Sequence, residues 1–216
     1  MGKVIAVANQ KGGVGKTTTA INLSTAVALE GKSVLLIDMD PQGNATSGLG
    51  VDQRTLKSST YSCLVKNSTI RESIIETTIS GLSLLPANAD LAGAEVELAN
   101  LEGREGHLRS LIAAIRDRYD FIFLDCPPAL GILTINALTA ANSVLIPVQC
   151  EYYAMEGLSR LIGSIDLVRQ SYNPNLEIEG IALTMFDSRI SLSRQVADQV
   201  RSHFSDKVYQ AVIPRN

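Results

Sequence analysis

The 216-residue sequence contains no tryptophan, and aromatic residues make up only 5% of it. A core with so few rings must be filled by aliphatic side chains, as in strands buried on both faces of a parallel sheet. Three cysteines, Cys63, Cys126 and Cys150, are odd in number and far apart. That excludes a C-x-x-C metal signature and fits a reduced protein. No run of about 18 apolar residues occurs, so no membrane-spanning helix is expected. A basic-then-apolar leader is also missing ahead of the first apolar run, which argues against secretion and for a cytoplasmic location. Strong net charge is absent too: 19 basic against 22 acidic residues give −3, so the chain as a whole does not attract nucleic acid. Basic residues do concentrate at one end, where residues 188–216 carry Arg189, Arg194, Arg201, Lys207 and Arg215 against Asp198 and Asp206.

Hydrophobic residues amount to 45% of the chain, enough for a substantial core. The most informative stretch is Asn9-Gln10-Lys11-Gly12-Gly13-Val14-Gly15-Lys16-Thr17-Thr18-Thr19. It follows the apolar run Val4–Ala8 and precedes Ala20–Leu29, which has helical character. Strand, glycine-rich turn and helix are the context of a phosphate-binding loop. The glycines let backbone N–H groups turn toward an anion, and the helix N-terminus adds a partial positive charge of about +0.5. Lys16 then reaches the β- and γ-phosphates of a nucleotide, and the Thr17 hydroxyl is placed to ligate Mg2+. The usual G-x-x-x-x-G-K-T pattern would need glycine where this chain has Gln10, and a second lysine, Lys11, opens the turn. That lysine is badly placed to fold back on phosphates wrapped by its own loop, but it could reach a phosphate held by a second subunit.

Further along, Ser33–Asp38 and Phe121–Asp125 are uninterrupted apolar runs, each closing on a carboxylate. The patterning predicts further strands at Leu82–Pro86, Ser143–Val148, Ile178–Met185 and Val208–Ile213. Helices are predicted around Tyr61–Val65, Ile70–Ile75, Asp90–Leu101, from Leu108 to Arg116, over roughly 131–141, and at Tyr153–Tyr172 and Ser191–Phe204. Strands alternating with helices imply an α/β fold, a mostly parallel twisted sheet with helices on both faces, and one domain over 1–216. Ligands of such sheets sit outside the strands' C-terminal ends, where the glycine-rich loop, Asp38, Asp40 and Asp125 all fall. Asp125 is the natural carboxylate to hold Mg2+ through a water, with capping of the following turn as the plain alternative. Asp40, in the turn-rich Asp40-Pro41-Gln42-Gly43-Asn44, suits positioning or activating an attacking water. Asp38 is expected to act structurally or through water to the metal.

These segments resemble the ParA/MinD superfamily of deviant Walker A P-loop ATPases. Lys11–Thr18 is similar to the deviant Walker A motif, Asp38–Asn44 to the second motif of the ParA branch, and Phe121–Pro128 to Walker B. Pro147–Ala154, Thr184–Arg189 and Val212–Asn216 resemble chromosomal members of the Soj type, so the likeness covers essentially the whole chain. The resemblance implies slow hydrolysis of ATP to ADP with Mg2+ and a homodimer formed around two ATP molecules, with Lys11 reaching in trans. It also implies non-specific binding of double-stranded DNA by the ATP-bound dimer, a nucleoid-associated location, and stimulation by a ParB-like partner. The implied nucleotide contacts are Lys11, Gly12, Gly13, Val14, Gly15, Lys16, Thr17 and Thr18, with Pro214 and Asn216 at the adenine. Lys11, Lys16 and Asp40 are the implied catalytic residues, and Thr17, Asp38, Asp40 and Asp125 the metal-site residues. Arg189 matches a DNA-binding position. Arg194 and Arg201, seven residues apart on one predicted helix, could face phosphates or simply be solvated.

Relatives of this type continue beyond the position of Asn216 through further helices, so the chain is expected to lack their C-terminal part. It is likewise expected to lack the N-terminal helix-turn-helix of some plasmid relatives. A membrane-associated positioning ATPase of the MinD kind would need an amphipathic C-terminal helix, which is not seen in this sequence. A metabolic ATP-dependent enzyme of the same superfamily, activating a small acid, is the other alternative.

Overall fold

The computed structural model describes residues 2–66 and 68–215. β1 (Lys3–Val7) leads through the glycine-rich loop into α1 (Lys16–Leu29), then β2 (Val34–Asp38) and a short α2 (Asn44–Gly48). Two small helices, α3 (Thr60–Val65) and α4 (Ile70–Ser73), precede β3 (Ile75–Glu76) and β4 (Leu82–Leu85). α5 (Leu91–Glu97) and α6 (His107–Ala113) bring the chain to β5 (Phe121–Asp125). α7 (Ile132–Ala140), β6 (Ser143–Gln149), α8 (Ala154–Ser171), β7 (Glu177–Phe186), α9 (Ser191–Phe204) and β8 (Val208–Pro214) complete the described chain.

Among the described residues the strands form one sheet in the order β3-β4-β2-β5-β1-β6-β7-β8. Every neighbouring pair is parallel except β3–β4. Strand alternation sorts side chains onto two cores. Ile5, Val7, Val34, Leu36 and Phe123 pack with Ala20 and Ala28 of α1. Val4, Ala6, Leu35, Ile37, Ile122 and Leu124 pack with residues of α5 to α9. Helices therefore cover both faces, which is why the central strands read as unbroken apolar runs.

Register then places the chemistry. Val7 of β1 pairs with Asp125 of β5, and Asp38 of β2 pairs with the same Asp125. β1 lies between β5 and β6, where the order of connections reverses, and the crevice beyond a reversal of this kind is where sheets of this type bind ligands.

Several boundaries differ from the pattern-based expectation. The helix expected over Ile70–Ile75 stops at Ser73, and Ile75 and Glu76 pair antiparallel with Leu84 and Ser83. Gly81, at φ 81°, makes the turn between those strands. The helix expected over Asp90–Leu101 ends at Glu97 and tightens into a 3-10 turn. The helix expected from Leu108 to Arg116 runs from His107 to Ala113. α1 starts at Lys16, earlier than Ala20, despite three low-propensity threonines, directly after the left-handed Gly15.

Phe123 is the largest side chain sealed in the core on the α1 face. Phe123→Ala is expected to cost about 3–5 kcal/mol. Urea unfolding of the nucleotide-free protein should show this as a lower midpoint with an unchanged slope.

Candidate active site

The loop between β1 and α1 is set by glycines that turn backward. Gly13 has φ 74° and Gly15 φ 88°, left-handed values that a side chain adopts only with strain. A Cβ on Gly15 would meet nothing closer than Thr184 at 3.9 Å, so backbone angle and not space requires glycine there. The loop is tied to the neighbouring strands. Asn9 donates from Nδ2 to the Pro147 carbonyl at 2.7 Å and accepts the Lys11 N–H at 3.0 Å. The Thr184 hydroxyl at the end of β7 donates to the Val14 carbonyl at 2.9 Å.

Two adjoining hollows open beside this loop. One, of about 370 Å³, is lined by Gly12, Gly13, Gly15, Lys16, Thr17 and Thr18, with Asp40, Gln42, Asn44, Pro128 and Met185 opposite. The other, of about 550 Å³, shares Gly15, Thr18 and Met185 and continues to Thr184, Ile213, Pro214 and Arg215. The first has the charge and size for phosphates, and the second has mixed walls suited to a ribose and base. Pro214, one of the two residues expected at the adenine, lines the second hollow, while Asn216 lies outside the described residues.

Lys16 is buried at the floor of the first hollow and donates from Nζ to the Lys11 carbonyl at 2.9 Å. Burial lowers its pKa, and Asp125 and Asp40 oppose that drop. Asp125 is fully buried, and among the described residues neither of its carboxylate oxygens has a close hydrogen-bond partner. Desolvation first, then the nearby Asp38, pushes its pKa up to about 8; Thr17 and Lys16 pull the other way.

Asp38 is handled differently. Its Oδ2 accepts the Thr46 N–H at 2.8 Å and the Thr46 hydroxyl at 2.7 Å, and Oδ1 accepts the Asp40 N–H at 3.1 Å. These bonds anchor α2 and the turn before it to β2. Burial raises the pKa of Asp38 to about 6 against the pull of those donors. Asp40 accepts the Gln42 N–H at 2.9 Å through Oδ1, which aims its turn along the hollow.

The residues suit a hard cation. A buried carboxylate with two idle oxygens, a threonine at the helix start and a second acid across the hollow are oxygen donors, and Mg2+ takes few protein ligands because it keeps waters and phosphate oxygens. Among the described residues no cluster of three or more His, Cys, Asp or Glu side chains is disposed to hold a metal alone. Thr17, Asp40 and Asp125 are the side chains that would hold the ion beside the phosphates.

Lys11 does not line the phosphate hollow. Its ammonium pairs with the Glu151 carboxylate at the end of β6. An exposed pair of this kind contributes about 0–1 kcal/mol. Arg189 is exposed and far along the chain from the loop; its Nε and Nη2 donate to Asp187 at 2.9 and 2.7 Å. That pairing holds the Asp187 carboxyl down at about 2. Arg194 donates to the Ser188 carbonyl at 2.7 Å.

Two site residues escaped the pattern reading. Thr184 clamps the loop, and Met185, with the unusual φ of 51°, lines both hollows. Their signal was an apolar strand ending on the same sheet edge as β1, β2 and β5.

Comparison with known proteins agrees with this geometry. A family model described as an AAA domain matches residues 2–178. The chain is 53% identical over 216 residues to the sporulation initiation inhibitor protein Soj of Bacillus subtilis, covering all of this chain and 85% of that protein. It is 52% identical to the chromosome partitioning protein ParA of Myxococcus xanthus, covering all of this chain and 76% of the relative. A crystal structure named as cobyrinic acid a,c-diamide synthase from Mycobacterium smegmatis, with bound ADP and magnesium, superposes with a TM-score of 0.95 at 42% identity, covering 100% of this chain and 88% of that one.

The raised acids set a pH dependence. A carboxyl whose folded pKa exceeds its unfolded value of 3.8 binds its proton more tightly when folded, so stability falls as pH rises between the two values. The free protein should therefore lose stability from about pH 4 to about pH 8, with Asp38 contributing up to about 6 and Asp125 up to about 8. Asp125→Asn should flatten the part between pH 6 and 8 in melting curves taken across that range.

Proposed function

This chain belongs to the ParA/Soj family of chromosome-partitioning ATPases, and from that premise we propose an ATP-timed cycle of assembly on DNA. Like its family, the chain hydrolyses ATP to ADP and phosphate with Mg2+. In the proposed cycle ATP joins two copies face to face, and the pair binds duplex DNA without sequence preference. A ParB-like partner then stimulates hydrolysis and returns single copies. The observation that carries the reading is the division of the two loop lysines: Lys16 faces the phosphate hollow and Lys11 lies outside it, paired with Glu151.

Each residue has a role that its position supports. The backbone N–H groups of Gly12 to Thr18 wrap the phosphates at the start of α1, and Lys16 neutralises the β- and γ-oxygens. Thr17, Asp40 and Asp125 would hold the ion, Asp40 would also orient the attacking water, and Asp38 would serve structurally, anchoring α2, or act through water to the metal. Bound Mg2+ supplies charge neutralisation on the phosphates. Lys11 enters the partner copy's site and offsets charge on the transferring phosphoryl group, as an arginine finger does in trans. Pro214 contacts the base, and Asn216 is assigned the same neighbourhood. Arg189 contacts DNA phosphates, which places the working form on the nucleoid in the cytoplasm. The whole of 1–216 acts as one ATPase domain.

A second reading has one observation behind it, the 42% identity to a structure named as a diamide synthase. It requires turnover that depends on a small acid and an amide donor.

Hydrolysis measured with and without duplex DNA and a ParB-like protein separates the two, together with molecular mass in ATP and in ADP. The partition reading expects slow turnover raised by DNA plus partner, and a dimer only in ATP. Lys11→Ala should remain a monomer in ATP and lose turnover by about 10²-fold or more. Indifference to DNA and partner, with dependence on a small acid, would sink the partition reading. Arg189→Ala should weaken DNA binding for every sequence alike and reduce the salt slope of log K by about 1.

A further inference from the structure

The Lys11–Glu151 pair has a place of its own, apart from the phosphate hollow. Lys11 and Glu151 line a narrow crevice with Asn9, Val148, Tyr153 and Leu158, on the β6 and α8 side of the loop. Three contacts turn residues 9 to 11 that way. Asn9 is bonded to the Pro147 carbonyl of β6, Gln10 donates to the Ser164 hydroxyl of α8 at 2.9 Å, and Lys11 closes on Glu151. The Lys11 ammonium closes on Oε1 of Glu151, and Lys11 is the one charge partner of that carboxylate among the described residues. Directly after it, Tyr152 and Tyr153 pack edge to face at 5.1 Å, yet are 75% and 63% exposed. A large aromatic pair left in water beside the half-buried Glu151 is a surface that a neighbouring protein would cover.

We propose that Glu151 is a positioning residue that latches Lys11 within its own subunit, and that joining of a second copy over Tyr152 and Tyr153 requires this latch to open. The proposal rests on the trans role assigned to Lys11 above and adds what holds that lysine before assembly. The pair keeps the cation out of its own phosphate hollow, where Lys16 already supplies charge. It also subtracts from assembly, because a lysine held in cis is unavailable to the partner's phosphates until the contact breaks. Only the fraction of molecules with the latch open is competent to join, so the apparent affinity of assembly falls by that fraction. The triphosphate in the partner's site, more highly charged than one carboxylate, is the competitor that draws Lys11 away.

The test is a double-mutant cycle on the full chain with Lys11→Ala, Glu151→Gln and the double variant, adding Glu151→Asp as the conservative control. Thermal melts of nucleotide-free protein read the coupling of the pair, and sedimentation with Mg2+ and a non-hydrolysable ATP analogue reads the dimer dissociation constant. The expected result in the melts is a coupling between Lys11 and Glu151 in the free protein. Glu151→Gln should dimerise about two- to fivefold more tightly than the unaltered chain. Glu151→Asp, which keeps the charge, should return toward the unaltered value. Equal or weaker dimerisation of Glu151→Gln, with Lys11→Ala still blocking assembly, overturns the latch and leaves the trans lysine standing. If Lys11→Ala assembles and turns over normally, the trans lysine itself fails and the latch falls with it.

Discussion

Asp125 is a carboxyl sealed at the end of a central strand, its oxygens without a close donor among the described residues, and the site is arranged around that fact. Parallel pairing of β2, β5 and β1 sets Asp38, Asp125 and the start of the glycine-rich loop side by side. Three acids converge there, and burial of like charges is tolerable only with compensation. Asp38 has internal donors from Thr46 and Asp40, whereas Asp125 has only the nearby Thr17 hydroxyl and the Lys16 ammonium to offset its burial. The proton it retains to about pH 8 stands in for a cation. A protein that carries such a deficit is stabilised by whatever corrects it, so cation and nucleotide binding are coupled to folding stability.

The glycine-rich loop works on two sides at once. Toward α1 it presents backbone N–H groups and Lys16 to the phosphate hollow. Toward β6 and α8 it is stapled by Asn9, Gln10 and the Lys11–Glu151 pair. The left-handed angles of Gly13 and Gly15 let eleven residues serve both sides without a longer excursion. A single loop therefore faces the phosphate hollow on one side and carries a second cation on the other.

Much of this was legible along the chain. Apolar runs closing on Asp38 and Asp125 and the loop between β1 and α1 are local patterns with a fixed mechanical meaning, and the helices on both faces follow from strands with no polar alternation. The short pieces were less legible. α2 forms in a turn-rich segment because Asp38 captures Thr46, a partner eight residues away that no periodicity reveals. Ile75 leaves an expected helix because, with Glu76, it pairs as an edge strand beside β4. Thr184 and Met185 join the site because β7 ends at the same edge, a matter of strand order.

The sequence by itself determined the fold class, the phosphate-binding loop, and which acids stand at strand ends, since each depends on residues close together in the chain. The tertiary structure alone decided how those acids differ: Asp38 is satisfied and Asp125 is not, although both close similar apolar runs. It also decided that Lys11 faces Glu151, 140 positions away, and that Arg189 is held by Asp187. Charge and hydrogen-bond partners come from whatever the fold brings near, and burial sets how much each missing partner matters.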